Sequence, residues 1–237
     1  MKKLKQPAVD KPKQPAAIKK KILIVDDHPL VREGLRRIID NQPDLTVCGE
    51  ASNAKEAVAA VATHQPNLVL LDLSMPGRDG IDLTKQLWLD NSKLPVLVLS
   101  MHDESVYAER SLRAGARGYI MKSESPETLL AAIRRILSGE VSVSNLIVTQ
   151  MTNKMSRGNS LSPMDLLSDR ELEIFRLFGE GNPRSKVATD LDLSVKTVET
   201  HRSNIYRKLS LRGADDLRRH AARFVLDELH PQSSEPK

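Results

Sequence analysis

The stretch Leu68-Val69-Leu70-Leu71-Asp72 decides the fold of this chain. Four aliphatic residues in a row are typical of a strand that is buried on both faces, and the carboxylate after them marks its end. Three more short runs end in the same way: 22–25 at Asp26 and Asp27, 96–99 at Ser100, and 118–121 at Lys122. The carboxyl ends of parallel strands lie at the same edge of the sheet. We therefore predict that these carboxylates, the hydroxyl and the ammonium meet at that edge.

A fifth strand is predicted at 45–48, and each strand is followed by an amphipathic helical pattern. We predict these helices at 29–40, 53–63, 81–90, 104–113 and 126–137. Five strand–helix repeats in about 120 residues predict a parallel sheet with helices on both faces.

The second half of the chain has a different pattern. Asn, Ser, Thr, Met and Gly dominate residues 144–162, which is typical of a linker, and from Leu167 onwards only helical segments follow, four in all. We therefore predict five regions: a disordered basic tail at 1–20, an α/β domain at 21–140, a linker at 141–163, a helical domain at 164–229 and a disordered tail at 230–237.

Composition limits the class of protein. Residues 1–21 carry eight lysines and one acidic residue, whereas residues 22–142 carry 17 acidic and 13 basic residues. The tail either keeps the chain soluble or attracts nucleic acid nonspecifically. The single cysteine, Cys48, is expected to be buried and inert, since it lies in an apolar run. No apolar run approaches 18 residues, so we expect a cytoplasmic protein without a membrane partner.

The predicted edge suits metal-assisted phosphoryl transfer. Asp72 would be the nucleophile, and Asp26 and Asp27 would hold Mg²⁺, which prefers oxygen ligands and removes the repulsion between carboxylate and phosphoryl group. Lys122 would pair with the phosphoryl oxygens, and Ser100 would donate its hydroxyl to another of them.

These residues and their flanks resemble the receiver domain of bacterial two-component response regulators. The matching segments are KILIVDDHPL, LVLLDLSMPGRDGI, LVLSMHDE and AGARGYIMKS. The resemblance implies a flavodoxin-like sheet of order 2-1-3-4-5 and a sensor histidine kinase as the phosphodonor for Asp72. It also implies that Tyr119 is a rotating switch residue and that the backbone carbonyl of Ser74 is a metal ligand.

Haloacid-dehalogenase-type phosphatases use a similar set of residues and are the rival enzyme class. Their nucleophile lies on the first strand, and a second Asp two residues later acts as general acid. Here Asp72 lies on the third strand and Ser74 stands at that later position. Because a proton donor is missing, we predict that the protein is not an enzyme.

Residues 182–209 have the pattern of a helix-turn-helix. Val198, Ile205 and Leu209 form a narrow apolar stripe on its second helix, which we call the recognition helix. A recognition helix needs polar side chains that reach base edges, flanked by cations and hydroxyls that bind phosphates. The opposite face provides them at Lys196, Glu199, Thr200, Arg202, Ser203 and Arg207.

The segment from Leu193 to Leu209, LSVKTVETHRSNIYRKL, resembles the LuxR-type domain of the NarL/FixJ family. The resemblance implies base contacts by Glu199, Thr200 and Ser203. It also implies phosphate contacts, or support of the helix, by Lys196, Thr197, His201 and Lys208. His201 could equally orient the helix without binding DNA, and Glu171 could form an internal ion pair with Arg202. The last helix would be the dimerisation element.

The two resemblances together predict a phosphorylation-controlled transcription regulator. Phosphate on Asp72 would shift the receiver between a state that occludes the recognition helix and one that permits a homodimer on double-stranded DNA. The alternative is a DNA-binding regulator that works without phosphate and uses its receiver only as an interaction domain.

Overall fold

The structure is a computed structural model that describes residues 18–75, 80–157 and 163–229. The predicted tails lie almost entirely outside these residues. Only residues 18–20 of the first tail are described, and Lys20 is the first residue of a strand, which therefore begins inside the predicted tail.

The first domain contains a five-stranded parallel sheet of order β2-β1-β3-β4-β5, which confirms the predicted strand order. The strands are β1 Lys20–Val25, β2 Leu45–Ala51, β3 Leu68–Leu71, β4 Val96–Ser100 and β5 Gly118–Met121. The helices between them are α1 Pro29–Asp40, α2 Ala54–His64, α3 Gly80–Asp90, α4 Glu104–Arg113 and α5 Pro126–Leu137. These helices lie within one residue of the predicted bounds, because caps such as Asn53 and Ser125 mark where α2 and α5 begin.

Alternate residues of each strand pack on opposite faces of the sheet. One face, with Ile22, Leu68 and Leu97, is covered by α1 and α5. The other, with Leu23, Val69 and Val96, is covered by α2, α3 and α4. Burial on both faces explains why β3 and residues 22–25 and 96–99 of its neighbours are uninterrupted aliphatic runs.

The predicted linker contains a helix that the sequence analysis did not anticipate, α6 Asn145–Arg157. Ile147 is buried, Met151 packs against the same core, and Lys154 pairs with Glu109 of α4 at 2.6 Å. These three residues share one face of the helix. The segment is a weak helix former by composition, so packing against α4 accounts for its stability better than propensity does.

The second domain consists of α7 Asp169–Gly179, α8 Arg184–Asp190, α9 Val195–Lys208 and α10 Ala214–Leu229, preceded by a 3₁₀ turn at Pro163–Leu166. This confirms the prediction of four helices. Ser168 and Glu171 form a capping box at the start of α7. At Gly179, a Cβ atom would lie 2.3 Å from the carbonyl oxygen of Ala221, so α7 and α10 approach too closely there for any other residue.

Candidate functional site

The carboxyl edge of the sheet brings Asp26, Asp72 and Lys122 together. The Lys122 ammonium lies 2.7 Å from Asp26 Oδ2 and 2.7 Å from Asp72 Oδ2. Both carboxylates are almost completely buried, with side chains 2% and 1% exposed. Backbone hydrogen bonds from Asp72 to Val25 and from Lys122 to Ser100 extend the strand pairing to this edge. We call these three residues the acidic triad.

Burial and the attraction between opposite charges shift the pKa values of Asp72 and Lys122 in opposite directions. Burial raises the pKa of Asp72 above its usual value, and the nearby Lys122 offsets only part of that effect. Burial alone would lower the pKa of Lys122, but the Asp72 and Asp26 carboxylates together raise it. Lys122 therefore stays charged at neutral pH and neutralises part of the buried negative charge.

Asp27 and His28 complete a group of metal-ligand type. Ligand atoms of Asp26, Asp27, His28 and Asp72 all lie within 4.8 Å of one another. Asp27 Oδ1 is buried and makes no hydrogen bond to the residues that the structure describes, although His28 Nδ1 lies 2.8 Å away. An unsatisfied carboxylate oxygen among other carboxylates fits a hard divalent cation. Sequence reasoning missed His28, whose position next to the acidic pair was the available signal.

The Ser74 side of the site is organised by His102, which sequence reasoning also missed. Ser74 donates its backbone N–H to Asp72 Oδ1 at 3.2 Å, and its hydroxyl lies 2.7 Å from His102 Nε2. The backbone N–H of His102 donates to Ser100 Oγ at 3.1 Å. The loop after Asp72 and the end of β4 are thus joined through His102, by its imidazole on one side and its backbone N–H on the other.

Tyr119 belongs to the same network. Its ring is buried, and its hydroxyl donates to the His102 carbonyl at 2.8 Å. The His102 ring stacks on Tyr107 of α4, with ring centroids 4.7 Å apart. Burial lowers the pKa of His102 to about 3, and the cations Arg176 and Lys122 add to the effect, so the imidazole is neutral at pH 7. Tyr119 already points inward in this structure.

The second candidate site is the outer face of α9. Val198 and Ile205 are fully buried on its inner face. Four side chains with exposed surface follow the opposite face at intervals of three or four residues, and we call them the α9 stripe: Lys196, Thr200, Ser203 and Arg207. Among the described residues, the first domain leaves this stripe uncovered, so the arrangement is not the occluding one of the two states that the sequence predicts.

The hydroxyls of the α9 stripe are oriented by their own helix. Thr200 donates to the Lys196 carbonyl at 3.1 Å, and Ser203 donates to the Glu199 carbonyl at 3.0 Å. Each oxygen keeps its acceptor capacity, which suits the amino group of a base.

The other candidate residues on α9 are half-buried and hold the domain together. The backbone N–H of Thr197 donates to the hydroxyl oxygen of Ser194, the N-cap of α9, at 3.0 Å. Lys208 pairs with Glu171 at 2.6 Å. Burial lowers the pKa of His201, whose Nδ1 is buried without a hydrogen bond to the described residues. These contacts favour support of the helix over phosphate binding.

The anticipated ion pair between Glu171 and Arg202 was wrong. Glu171 already accepts from the Ser168 backbone in the capping box and pairs with Lys208. Arg202 pairs instead with Glu199, three residues before it on α9, at 2.6 Å.

Arg110 of α4 joins the two domains. Its guanidinium donates to the carbonyl oxygens of Met164 at 2.6 Å and Leu167 at 3.1 Å, and pairs with Asp169 at 2.7 Å. Beside it, Lys154 of α6 lies between Glu109 and the 3₁₀ turn. The apolar core on this face of the sheet continues into the helical domain. We call the contacts of Arg110 the α4 contact.

Comparisons with known proteins match both domains. The family model of the response regulator receiver domain matches residues 22–134. The model described as bacterial regulatory proteins, luxR family, matches residues 165–221.

Curated relatives match over nearly their whole length. The chain is 34% identical over 215 residues to the response regulator UvrY of Escherichia coli (strain K12), covering 90% of this chain and 99% of that protein. It is 36% identical over 216 residues to the oxygen regulatory protein NreC of Staphylococcus epidermidis, covering 88% and 99%.

A solved structure extends the likeness to the whole fold. RcsB from Salmonella enterica serovar Typhimurium, bound to promoter rprA in the presence of phosphomimetic BeF3-, is 26% identical. It aligns with a TM-score of 0.62 over 86% of this chain and 98% of that chain. No helix among the described residues has the length and apolar character needed to cross a membrane. With its receiver and LuxR-type domains, the chain belongs to the NarL/FixJ family of two-component response regulators, which are DNA-binding transcription regulators.

Proposed function

We propose that Asp72 is the phosphoacceptor of this response regulator and that a sensor histidine kinase supplies the phosphoryl group. The observation that carries the proposal is the acidic triad, in which Lys122 holds the two buried carboxylates of Asp26 and Asp72 at 2.7 Å each. Asp72 would attack the phosphorus of a phosphohistidine. The P–N bond breaks, a P–O bond to Asp72 forms, and the histidine of the kinase regains a proton.

The residues around Asp72 would divide the remaining tasks. Lys122 would pair with the phosphoryl oxygens, and Ser100 would turn its hydroxyl towards another of them. Asp26, Asp27, Asp72 and the Ser74 carbonyl would hold Mg²⁺, and the unsatisfied Asp27 Oδ1 supports this assignment. A bound Mg²⁺ would screen the repulsion between the Asp72 carboxylate and the phosphoryl oxygens.

Ser100 would couple phosphorylation to the rest of the domain. Its hydroxyl oxygen now accepts the His102 backbone N–H, so turning it towards a phosphoryl group disturbs His102 and the Tyr119 hydroxyl bonded to it. The next helix along the chain is α4, which carries Arg110. Phosphorylation would therefore act through Tyr119 and the α4 contact. Because the α9 stripe is already exposed, release of the DNA-binding domain for dimerisation is the step we propose to be controlled.

On double-stranded DNA, Thr200 and Ser203 of the α9 stripe would read base edges, while Lys196 and Arg207 would bind phosphates. Glu199, Thr197, His201 and Lys208 complete the candidate set, the last three as supports of the helix. RcsB has been solved as two dimers bound to two parallel DNAs. We propose that this chain also binds DNA as a homodimer, through α10, in the bacterial cytoplasm.

The decisive experiment treats the full chain with acetyl phosphate and Mg²⁺ and locates the modification by mass spectrometry. We expect one phosphoryl group on Asp72 in the unaltered protein and none in Asp72→Asn. An unmodified Asp72 would contradict the phosphoacceptor assignment. DNA affinity measured on the same samples tests the alternative function. If phosphorylated and unphosphorylated protein bound equally, the receiver would act only as an interaction domain.

A further inference from the structure

Glu199 of α9 lies between two arginines from neighbouring helices. Its Oε1 is 2.9 Å from the guanidinium of Arg184 at the start of α8, and its Oε2 is 2.6 Å from that of Arg202 on α9. Both oxygens of the carboxylate are therefore already in ion pairs. The side chain is 30% exposed, less than the stripe residues beside it.

This arrangement conflicts with a base contact by Glu199. A carboxylate reads a base by accepting a hydrogen bond from a cytosine amino group, which needs an oxygen free to face the groove. Here each oxygen already accepts a charge-assisted bond from a guanidinium, so a base would have to displace or share one of those partners.

Arg202 is the less accessible of the two arginines. It is 27% exposed, and its guanidinium carbon lies 5.6 Å from the centre of the Tyr206 ring, within the range of a cation–π contact. Glu199, Arg202 and Tyr206 follow one another along a single face of α9. Arg202 is thus held by its own helix.

Arg184 is positioned differently. Its side chain is 59% exposed and reaches from α8 to Glu199, which directly precedes Thr200 of the α9 stripe. When a recognition helix enters the major groove, the helix before it crosses the sugar-phosphate backbone. An exposed guanidinium at that junction is suited to a phosphate oxygen.

We propose that Arg184 binds a DNA phosphate and that Glu199 is a positioning residue which orients Arg184 rather than a residue that reads a base. This inference rests on the proposed DNA contacts of α9, and it removes Glu199 from the base-reading set while adding Arg184 to the phosphate-binding set. Base readout then falls to Thr200 and Ser203.

The test compares Arg184→Gln, Glu199→Gln and the double variant in the full chain with beryllium fluoride and Mg²⁺. Affinity is measured at several salt concentrations for a random-sequence duplex and for the duplex that the unaltered protein selects from a random library. Arg37→Gln, at an exposed position of α1 in the receiver, is the charge-matched control.

A phosphate contact by Arg184 has two signatures. Arg184→Gln should weaken binding to both duplexes by the same factor, about tenfold, and lower the slope of log affinity against log salt by about 0.9. In the Glu199→Gln background the same substitution should cost only about twofold, because Arg184 is no longer oriented. An unchanged salt slope, or the same tenfold cost in both backgrounds, would overturn the inference.

The selected sequence tests Glu199 itself. Glu199→Gln should select the same consensus as the unaltered protein, and loss of preference at one base pair would show that Glu199 reads a base. If the unaltered protein selects no sequence at all, the base contacts proposed for α9 are wrong. The salt slope on the random duplex still decides whether Arg184 binds phosphate.

Discussion

The acidic triad and the α9 stripe place their charged groups in opposite surroundings. Asp26, Asp72 and Lys122 are buried and bound to one another before any ligand arrives. The stripe residues on α9 are exposed, and the Thr200 and Ser203 hydroxyls bond to carbonyl oxygens of their own helix. A buried site is preorganised and sensitive to the loss of one partner, whereas an exposed site gains its full set of partners only on binding.

The largest effect is expected at the buried site. Lys122→Met leaves the Asp26 and Asp72 carboxylates buried side by side without a cation. We expect the free energy of unfolding to fall by about 3 kcal/mol in urea denaturation without divalent ions. Mg²⁺ should restore part of the loss, since it binds only the folded site. Lys55→Met, at an exposed position of α2, is the control. Equal stability of Lys122→Met and the unaltered protein would show that Lys122 does not stabilise the two buried carboxylates.

The next largest effect is expected at the α4 contact, which connects the receiver domain to the helical domain. Arg110 is 13% exposed and bonds to two carbonyl oxygens and Asp169. Arg110→Ala should weaken domain docking by about 2 kcal/mol and increase the radius of gyration in small-angle X-ray scattering. Arg113→Ala serves as the control, since Arg113 on the same helix is exposed and pairs with Glu109 of α4 itself. If both variants scatter alike, Arg110 does not hold the domains together.

At the exposed site the effect is smaller and confined to binding. Thr200→Val keeps the shape of the side chain but removes the acceptor oxygen. We expect about a tenfold loss of affinity for the selected duplex, or about 1.4 kcal/mol, and no change for random duplex in a fluorescence anisotropy titration. Thr189→Val on α8 is matched, because Thr189 makes the same kind of hydroxyl bond to its helix but lies off the α9 stripe. Equal losses on both duplexes would argue against base readout by Thr200.

The smallest effect concerns Glu173 of α7, on the side of the helical domain that faces Asp82 of α3. Burial raises the pKa of Glu173, and Arg170 offsets only part of this. The folded state therefore holds the proton more tightly than the unfolded chain. The stability due to this group is present at low pH and is lost as the pH rises through the folded-state pKa.

The Gln side chain of Glu173→Gln cannot ionise. As the pH rises from 5 to 8, the variant should therefore gain stability relative to the unaltered protein, by less than about 1 kcal/mol. Urea denaturation at the two pH values measures the change, with Glu140→Gln on the exposed surface as the control. If the variant instead gained stability relative to the unaltered protein as the pH was lowered, the pKa of Glu173 would be lowered in the folded state, and Arg170 would outweigh burial.

Local patterns were enough to predict much of the fold. Aliphatic runs ending at Asp26, Asp72 and Ser100 identified the central strands and their shared edge, because a strand buried on both faces leaves a signal within four or five residues. Caps such as Ser168 and Ser194 marked where α7 and α9 begin, since a cap bonds to residues three positions away. The α9 stripe was likewise readable from helical spacing.

Other features depend on residues that are distant in the sequence. The helix α6 has a composition typical of a linker and is stabilised by α4. His102 gains its importance from Ser74, 28 positions away, and Arg110 from Asp169, 59 positions away. The pairing of Glu199 with Arg184 spans 15 positions and two helices.

The sequence by itself determined the strands, the helices other than α6, the shared edge of the sheet and the outward face of α9, because burial and helical period are local properties. Only the tertiary structure decided which charges neutralise one another. Ion pairs and hydrogen bonds form between whichever side chains the packed helices bring within about 3 Å. That choice separates Lys208 and Glu199, which are held by charged protein partners, from Thr200 and Ser203, whose exposed hydroxyls bond to their own helix and keep acceptor capacity.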